Sequence, residues 1–198
     1  MYNLNTQEKI RNYILSSSEI VDSSISLAPN IEKSITAIVK CLRKGNKVVL
    51  FGNGGSAADA QHIAAEFIGR FKINRKSLPA IALSNNSSTI TAISNDFSFD
   101  SVFSRQCESL ISKGDVVIGI STSGNSLNVK KGINTSKKNG AITIGLLGNK
   151  GGSIKRCVDI PLIVNSTSTP HIQEVHRTIY HIICEIVEKE LVESSRKK

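Results

Sequence analysis

Two loops with little side-chain bulk and two sets of polar residues carry the chemistry legible in this chain. The first loop is Gly52-Asn53-Gly54-Gly55-Ser56. It joins the apolar run Val48-Val49-Leu50-Phe51 to an alanine-rich stretch holding His62 and Glu66. A strand, a bare polar loop and a helix start form an anion pocket, because unpaired N–H groups and small hydroxyls converge there. His62 and Glu66 stand four residues apart and share a helix face, a spacing that suits two ligands of one divalent metal or a metal with its base. Placed about one turn into the helix, they suggest chemistry beside the anion. Alone, such a pair contributes only ~0.2–0.5 kcal/mol as a surface contact.

The second loop, Ser121-Thr122-Ser123-Gly124-Asn125-Ser126, follows the strongest strand pattern in the chain, DVVIGI. Ser121, Thr122, Ser123 and Ser126 can each donate to a phosphate, assisted by the dipole of the helix they open. Helix capping plus a turn would explain the same residues. Neither G-x-x-x-x-G-K-[ST] nor G-x-G-x-x-G is present, so a monophosphate fits better than a nucleotide. The last set lies in HIQEVHRTIYH, where His171, His176 and His181 accompany Gln173 and Glu174 among core-like isoleucines. These polar residues read either as a solvent-facing stripe or as ligands. Eight residues span ~12 Å of helix, so Gln173 and His181 reach one metal only at full stretch. Either Gln173 lies in a frayed helix start, or the site gathers residues from more than one subunit.

The elements that must hold these residues follow from periodicity. Residues 4–27 have helical apolar spacing, Pro29 interrupts, and Asn30 caps a second helix, Ile31–Leu42, ended by Gly45. Two helices before any strand exceed what one sheet face needs, which points the first toward another subunit. Strands are expected at Lys47–Phe51, Ala80–Leu83, Gly114–Ile120, Ala141–Leu146 and Asp159–Val164. Helices are expected at Ser56–Gly69, Ser88–Ile93, Asp100–Ile111, from the serine loop to Lys138, near Ile154, and at His171–Glu193. Alternating βα units imply an α/β fold, a five-stranded parallel sheet with helices on both faces. Both bare loops then lie at the carboxyl edge, where ligands bind in such sheets. A single domain, 1–198, is expected, with N-terminal helices over 1–45 and an αβα core over 46–198.

Composition narrows the partners. The 198 residues carry a net charge of +9, but the basic residues are scattered, aromatics are only 5% and Trp is absent, so base-stacking nucleic-acid recognition is not indicated. A generally basic surface attracting an anionic metabolite is the better reading. Cys41, Cys107, Cys157 and Cys184 form no CxxC pair and read as reduced, mostly buried thiols. No apolar run is long enough to span a bilayer, and the opening MYNLNTQEKIRNYILSSSEI is unlike a secretion leader, so the cytoplasm is the expected location.

Taken together, FGNGGSAADAQHIAAEF, SNDFSFDSVFSRQ, GDVVIGISTSGNS and IQEVHRTIYH resemble the sugar isomerase (SIS) family. Within it they are similar to the sedoheptulose 7-phosphate isomerases, also called phosphoheptose isomerases, over nearly the whole chain. The resemblance implies a flavodoxin-like three-layer αβα sandwich with an extra N-terminal helix, assembled as a homotetramer with active sites at subunit interfaces. It implies one Zn2+ per subunit, with His62, Glu66, Gln173 and His181 as ligands. Implied substrate contacts are Asn53, Gly54, Gly55, Glu66, Asn95, Asp96, Ser121, Thr122, Ser123, Ser126 and Gln173, the serine loop taking the phosphate of a sugar phosphate. In one respect the chain departs from the family: Pro170 and His171 stand where an Asp and an Arg are usual.

The implied reaction interconverts a 2-ketose and an aldose, moving a proton between C1 and C2 through an enediol. Glu66 would be the base and His181 the acid, with D-glycero-D-manno-heptose 7-phosphate as the product feeding bacterial lipopolysaccharide or capsule heptose. A related SIS-domain tetramer instead binds the replication initiator protein; that subgroup lacks the carboxylate matching Glu66 and the histidine matching His181, both present here. Isomerisation of another phosphosugar, such as a hexose 6-phosphate, is the remaining alternative.

Overall fold

The structure, a computed structural model, describes residues 5–196, with side chains through residue 193. Leu4 of the expected first helix falls outside the described residues, as do Lys197 and Lys198. Five parallel strands form one sheet in the order β2-β1-β3-β4-β5: β1 (Val48–Gly52), β2 (Ala80–Ala82), β3 (Val116–Ser121), β4 (Ile142–Leu147) and β5 (Ile160–Ile163). This is the flavodoxin-like doubly wound order. β1 and β3 are buried along their whole length, which explains why their sequences are continuously apolar rather than alternating.

Alternation survives in which face each residue serves. Val48 and Leu50 join Val116, Ile118 and Ile120 in one core, packed by helices α2 (Ala28–Arg43), α3 (Gly55–Ile68) and α7 (Thr169–Arg196). Val49, Phe51 and Val117 point the other way, into a second core closed by α5 (Val102–Leu110) and α6 (Leu127–Lys138). Phe51 stacks on Phe103 there, ring centroids 4.8 Å apart. The three layers expected from the βα alternation are thus present.

Several local boundaries differ. The first helix, α1, covers Thr6–Ser23, held by a capping box: Glu8 N donates to Asn5 Oδ1 (2.9 Å) and Asn5 N to Glu8 Oε2 (3.1 Å). Ser24–Leu27 form a 3₁₀ turn, and α2 begins at Ala28, so Pro29 sits in its first turn instead of interrupting a helix. A first-turn N–H has no intrahelical acceptor, so proline sacrifices nothing there. Asn30 is therefore not the cap; its Nδ2 donates to Pro161 O (3.0 Å) and ties α2 to β5. The short helix α4 runs further than expected, Ser87–Asp96, with Asn86 as its cap. The helix expected over Asp100–Ile111 divides into a 3₁₀ turn, Phe99–Ser101, and α5.

α1 buries none of its residues completely. It leans on α7 through Tyr13, whose ring meets the His171 ring edge-on (centroids 4.8 Å), and through a hydrogen bond from Ser17 to Glu174. Among the described residues, no helix is long and apolar enough to cross a membrane. All four cysteines are free; Cys41, Cys107 and Cys184 are buried and Cys157 is half-buried.

Candidate functional site at the sheet edge and along the last helix

The site is built on two β-to-α junctions. At the first, Gly52 leaves β1 where a Cβ would lie 2.7 Å from Ser56 Cβ and 2.9 Å from Ile120 O, so only glycine lets the chain turn this tightly into α3. Asn53 is then fixed by an amide pair with Asn128 of α6: each Nδ2 donates to the other's Oδ1 at 2.9 Å. Asn128 is buried and also accepts from Val129 N (2.8 Å). At the second junction Ser121 and Ser126 share a hydrogen bond of 2.9 Å, while Ser121 and Ser123 are 3.4 Å apart. Ser126 stands at the N-cap position of α6, so the hydroxyls gather at a helix N-terminus. Gly124 (φ +67°) lies against the Gly151–Gly152 backbone, and Asn125 Oδ1 accepts from Ser153 N (2.8 Å). The Asn53–Asn128 pair joins the two junctions.

The second cluster lies lower on α3. His62 Nε2 and Glu66 Oε1 are 2.9 Å apart, and the His181 ring from α7 is 5.4 Å from the His62 ring. Behind them Tyr180 Oη meets His62 Nδ1 at 3.1 Å and donates to Asp59 Oδ1 at 3.4 Å. Arg177 Nε donates to Tyr180 Oη (3.0 Å), and Arg177 Nη2 reaches Asp59 (3.4 Å). Burial pushes the Asp59 carboxyl up, opposed by Arg177 and Tyr180. Burial, followed by the neighbouring His62, pushes the His181 imidazole down, which favours its neutral form. Asp59, Tyr180, Arg177 and Asn128 were not singled out from the sequence. Asp59 stands three residues before His62, so helical spacing alone could have placed it behind the imidazole.

The two clusters are not adjacent within one chain. Glu66 lies eleven residues below Gly55, ~16 Å down the axis at 1.5 Å per residue. The expectation of chemistry about one turn into the helix is thereby corrected: His62 lies nearly two turns down and Glu66 about three. Gln173 does not join the lower cluster either. Its amide packs against Gly55, where a Cβ would meet Gln173 Nε2 at 2.3 Å. The helix α7 begins at Thr169, and Ile172 N already donates to Ser168 O (3.0 Å), so Gln173 is not in a frayed start. An open groove of about 500 Å³ runs along α7 from Pro170 and Gln173 past Arg177 to His181. Asn95 and Asp96 close α4, exposed, with Asn95 Nδ2 donating to Asp96 Oδ1 (2.9 Å).

His171 and His176 do not form part of a solvent-facing stripe, for both are buried. Neither His176 ring nitrogen has a well-formed hydrogen bond. Burial pushes its pKa down to about 4, against a smaller upward pull from the Leu147 backbone, so it packs as a neutral ring.

The donor types fit a borderline metal such as zinc: two imidazoles, a carboxylate and an amide oxygen. The Tyr180 hydroxyl behind His62 is the kind of outer partner that orients a ligating imidazole. As arranged in one chain, no three His, Cys, Asp or Glu among the described residues form a metal-holding group. His62 and Glu66 face each other, and the Gln173 amide lies at a different height on α7.

The sequence and the fold match a known family. The family profile described as "SIS domain" matches residues 12–148, well over half of the chain. The chain belongs to the SIS domain family. Within it, similar proteins include phosphoheptose isomerases. That of Geobacter sp. (strain M21) is 55% identical over 165 residues, covering 83% of this chain and 86% of the relative. Two solved structures superpose closely. The phosphoheptose isomerase of Francisella tularensis gives a TM-score of 0.91 at 34% identity, covering 94% of this chain and all of that one. That of Neisseria gonorrhoeae gives 0.89 at 36% identity, covering 93% of this chain and all of that one.

Proposed function

We propose that this chain is a ketose–aldose isomerase converting sedoheptulose 7-phosphate to D-glycero-D-manno-heptose 7-phosphate. Membership among the phosphoheptose isomerases makes it a phosphosugar isomerase. The observation that favours turnover over mere binding is the Glu66 carboxylate and the His181 imidazole, brought together beside a His62 that Tyr180 and Asp59 buttress.

The chemistry follows from those groups. The serine loop seats the phosphate against the α6 N-terminus, and Asn53, Gly54 and Gly55 border the sugar, with Asn95 and Asp96 as further contacts. Glu66 takes the proton from C1 while His181 delivers one to the C2 oxygen, giving the enediol. Glu66 then returns its proton to C2, and His181 recovers one from the C1 hydroxyl, leaving the aldose and both residues restored. Each such group is typically worth ~10²–10⁴-fold. Zinc held by His62, Glu66, Gln173 and His181 would supply Lewis-acid polarisation of the carbonyl.

We infer further that the working form is a homotetramer with shared sites. The separation of the serine loop from Glu66 along α3, and of Gln173 from His181 along α7, supports a pocket completed by another copy. So do α1, which exposes Ile10, Ile14 and Leu15, and the turn after it, where the exposed Ile25 lines an apolar groove of about 590 Å³ with Ile31, Ile35, Ile179 and Ile182. On this reading, residues 1–198 act as one SIS domain in the cytoplasm, supplying heptose for bacterial lipopolysaccharide or capsule.

A coupled assay on seven-, six- and five-carbon ketose phosphates tests the reading. Turnover should be greatest on the seven-carbon substrate, and metal analysis should find zinc. A preference for a shorter sugar overturns the substrate, and no turnover on any, with tight binding to a replication initiator protein, overturns the isomerase.

A further inference from the structure

The proton-transfer pair depends on a piece of the fold that neither loop nor metal set includes. Glu66 lies in the last turn of α3, where the final carbonyls of a helix lack intrahelical donors. The usual remedies are missing: α3 has no basic residue in its last turn, and Gly69 (φ −76°) is not in the left-handed conformation that closes many helices. Arg75 supplies most of the closure from a loop, beside Leu78 N, which donates to Phe67 O (3.1 Å). Its Nη2 donates to Glu66 O (2.9 Å), and Nη1 donates to Phe67 O (2.9 Å), Gly69 O (3.4 Å) and Lys76 O (3.1 Å). Its Nε donates to Glu188 Oε1 of α7 at 2.8 Å.

Glu188 works in the opposite sense. It accepts from the backbone N–H groups of Phe71 (3.0 Å), Lys72 (2.7 Å) and Ile73 (2.9 Å). Both side chains are almost fully buried, 6% exposed for Arg75 and 2% for Glu188. Burial alone would raise the Glu188 carboxyl; the three N–H groups and Arg75 together hold it below its ordinary range. The loop thus pinned carries Phe71, whose ring lies 5.7 Å from the His181 ring.

We propose that Arg75 and Glu188 form a positioning clamp for proton transfer, fixing Glu66 through the end of α3 and His181 through Phe71. The proposal rests on the reading of Glu66 and His181 as the proton-transfer groups. Neither Arg75 nor Glu188 touches the reacting atoms; they act by setting one helix against the other. The guanidinium fork is required, because a lysine ammonium at the same place cannot reach Glu66 O, Phe67 O and Glu188 together.

The test uses the whole chain of residues 1–198 carrying Arg75→Lys, Arg75→Ala or Glu188→Gln, assayed well below each variant's unfolding midpoint. Hydrogen exchange at the amides of Gly69, Phe71, Lys72 and Ile73 should accelerate about ten-fold or more. The kcat for sedoheptulose 7-phosphate should fall about 10–100-fold with KM within about two-fold, since displacing a reacting group by about 1 Å costs up to ~10²-fold. Low concentrations of guanidinium should partly restore Arg75→Ala, which a general loss of stability would not allow. Unchanged exchange overturns the clamp, however the unaltered chain behaves. Faster exchange with full kcat in Arg75→Lys and Glu188→Gln reduces it to a structural brace and overturns the positioning role. An inactive unaltered chain overturns the functional reading itself and is seen before any variant is made.

Discussion

Replacing Gly124 by alanine separates the cost of a strained backbone from the cost of losing the phosphate seat. Gly124 adopts φ +67°, donates its N–H to Ser121 O (3.2 Å) and accepts from Ile154 N (3.0 Å). An added Cβ would lie 2.3 Å from the carbonyl carbon of Gly151, 2.4 Å from its oxygen and 2.6 Å from Gly152 N. All three are backbone atoms, so no side-chain rotation relieves the overlap. Restoring ordinary contact displaces the loop by about 1 Å or more. The left-handed backbone costs about 1–2 kcal/mol for a non-glycine residue, and the overpacking about 1–3 kcal/mol. The sum, about 2–5 kcal/mol, corresponds to a Tm decrease of about 5–20 °C in a chain of this size. A 1 Å shift of the seat should also lower kcat/KM about 10²-fold and weaken competitive inhibition by inorganic phosphate. Gly45→Ala is the control: Gly45 has φ +79° with nothing within 4 Å of its added Cβ, far from either loop. It should lose only the backbone cost of about 1–2 kcal/mol and keep its kinetics. If Gly124→Ala loses stability but retains kcat/KM and phosphate inhibition, the serine loop does not hold the phosphate.

Three further outcomes are expected. Glu66→Gln and His181→Gln should each lower kcat ~10²–10⁴-fold while light scattering reports an unchanged oligomer; undiminished turnover in either refutes its role. Asn128→Ala should leave Asn53 without its amide partner, cost about 1–3 kcal/mol in denaturant unfolding, and raise KM more than it lowers kcat. The buried His176 has a native pKa of about 4 against an ordinary 6.5, so between those values the unfolded chain binds a proton that the native state refuses. Stability should therefore fall as pH drops from 6.5 toward 4, by an amount of the order of 3 kcal/mol, with no further loss from this group below pH 4. His176→Leu should flatten that part of the Tm–pH curve; an unaltered slope would mean that His176 is protonated in the folded protein.

The sheet was legible because its central strands, β1, β3 and β4, are buried on both faces and announce themselves as unbroken apolar runs. The helix starts were harder. Pro29 looks like a breaker in sequence, and only the 3₁₀ turn over Ser24–Leu27 makes its position a first turn. His62, Glu66 and His181, which the fold brings close together, could be singled out from spacing and resemblance, whereas Asp59, Tyr180 and Arg177 could not. Their joint role depends on the register of α3 against α7, which no local pattern encodes. The same is true of Asn53 and Asn128, seventy-five residues apart and paired only once β1 and β3 lie side by side.

That register is also what a shared site would have to preserve. α3 presents the bare loop at its upper end and Glu66 at its lower end, and each level is fixed to α7 by a different contact: Gln173 against Gly55, Tyr180 against His62, and Glu188 through Arg75 below Glu66. If one copy lends its loops and Gln173 while another lends His62, Glu66 and His181, then both ends of one helix pair belong to different pockets. A rotation of α7 by a fraction of a turn would move the acid of one pocket and the Gln173 amide of another together. On this geometry, the buried polar contacts between α3 and α7 are where a disturbance in one site would be felt in its neighbour. The exposed apolar face of α1, docked on α7 through Tyr13 and Ser17, borders the same helix. Assembly and catalysis would then act on a single element, the C-terminal helix.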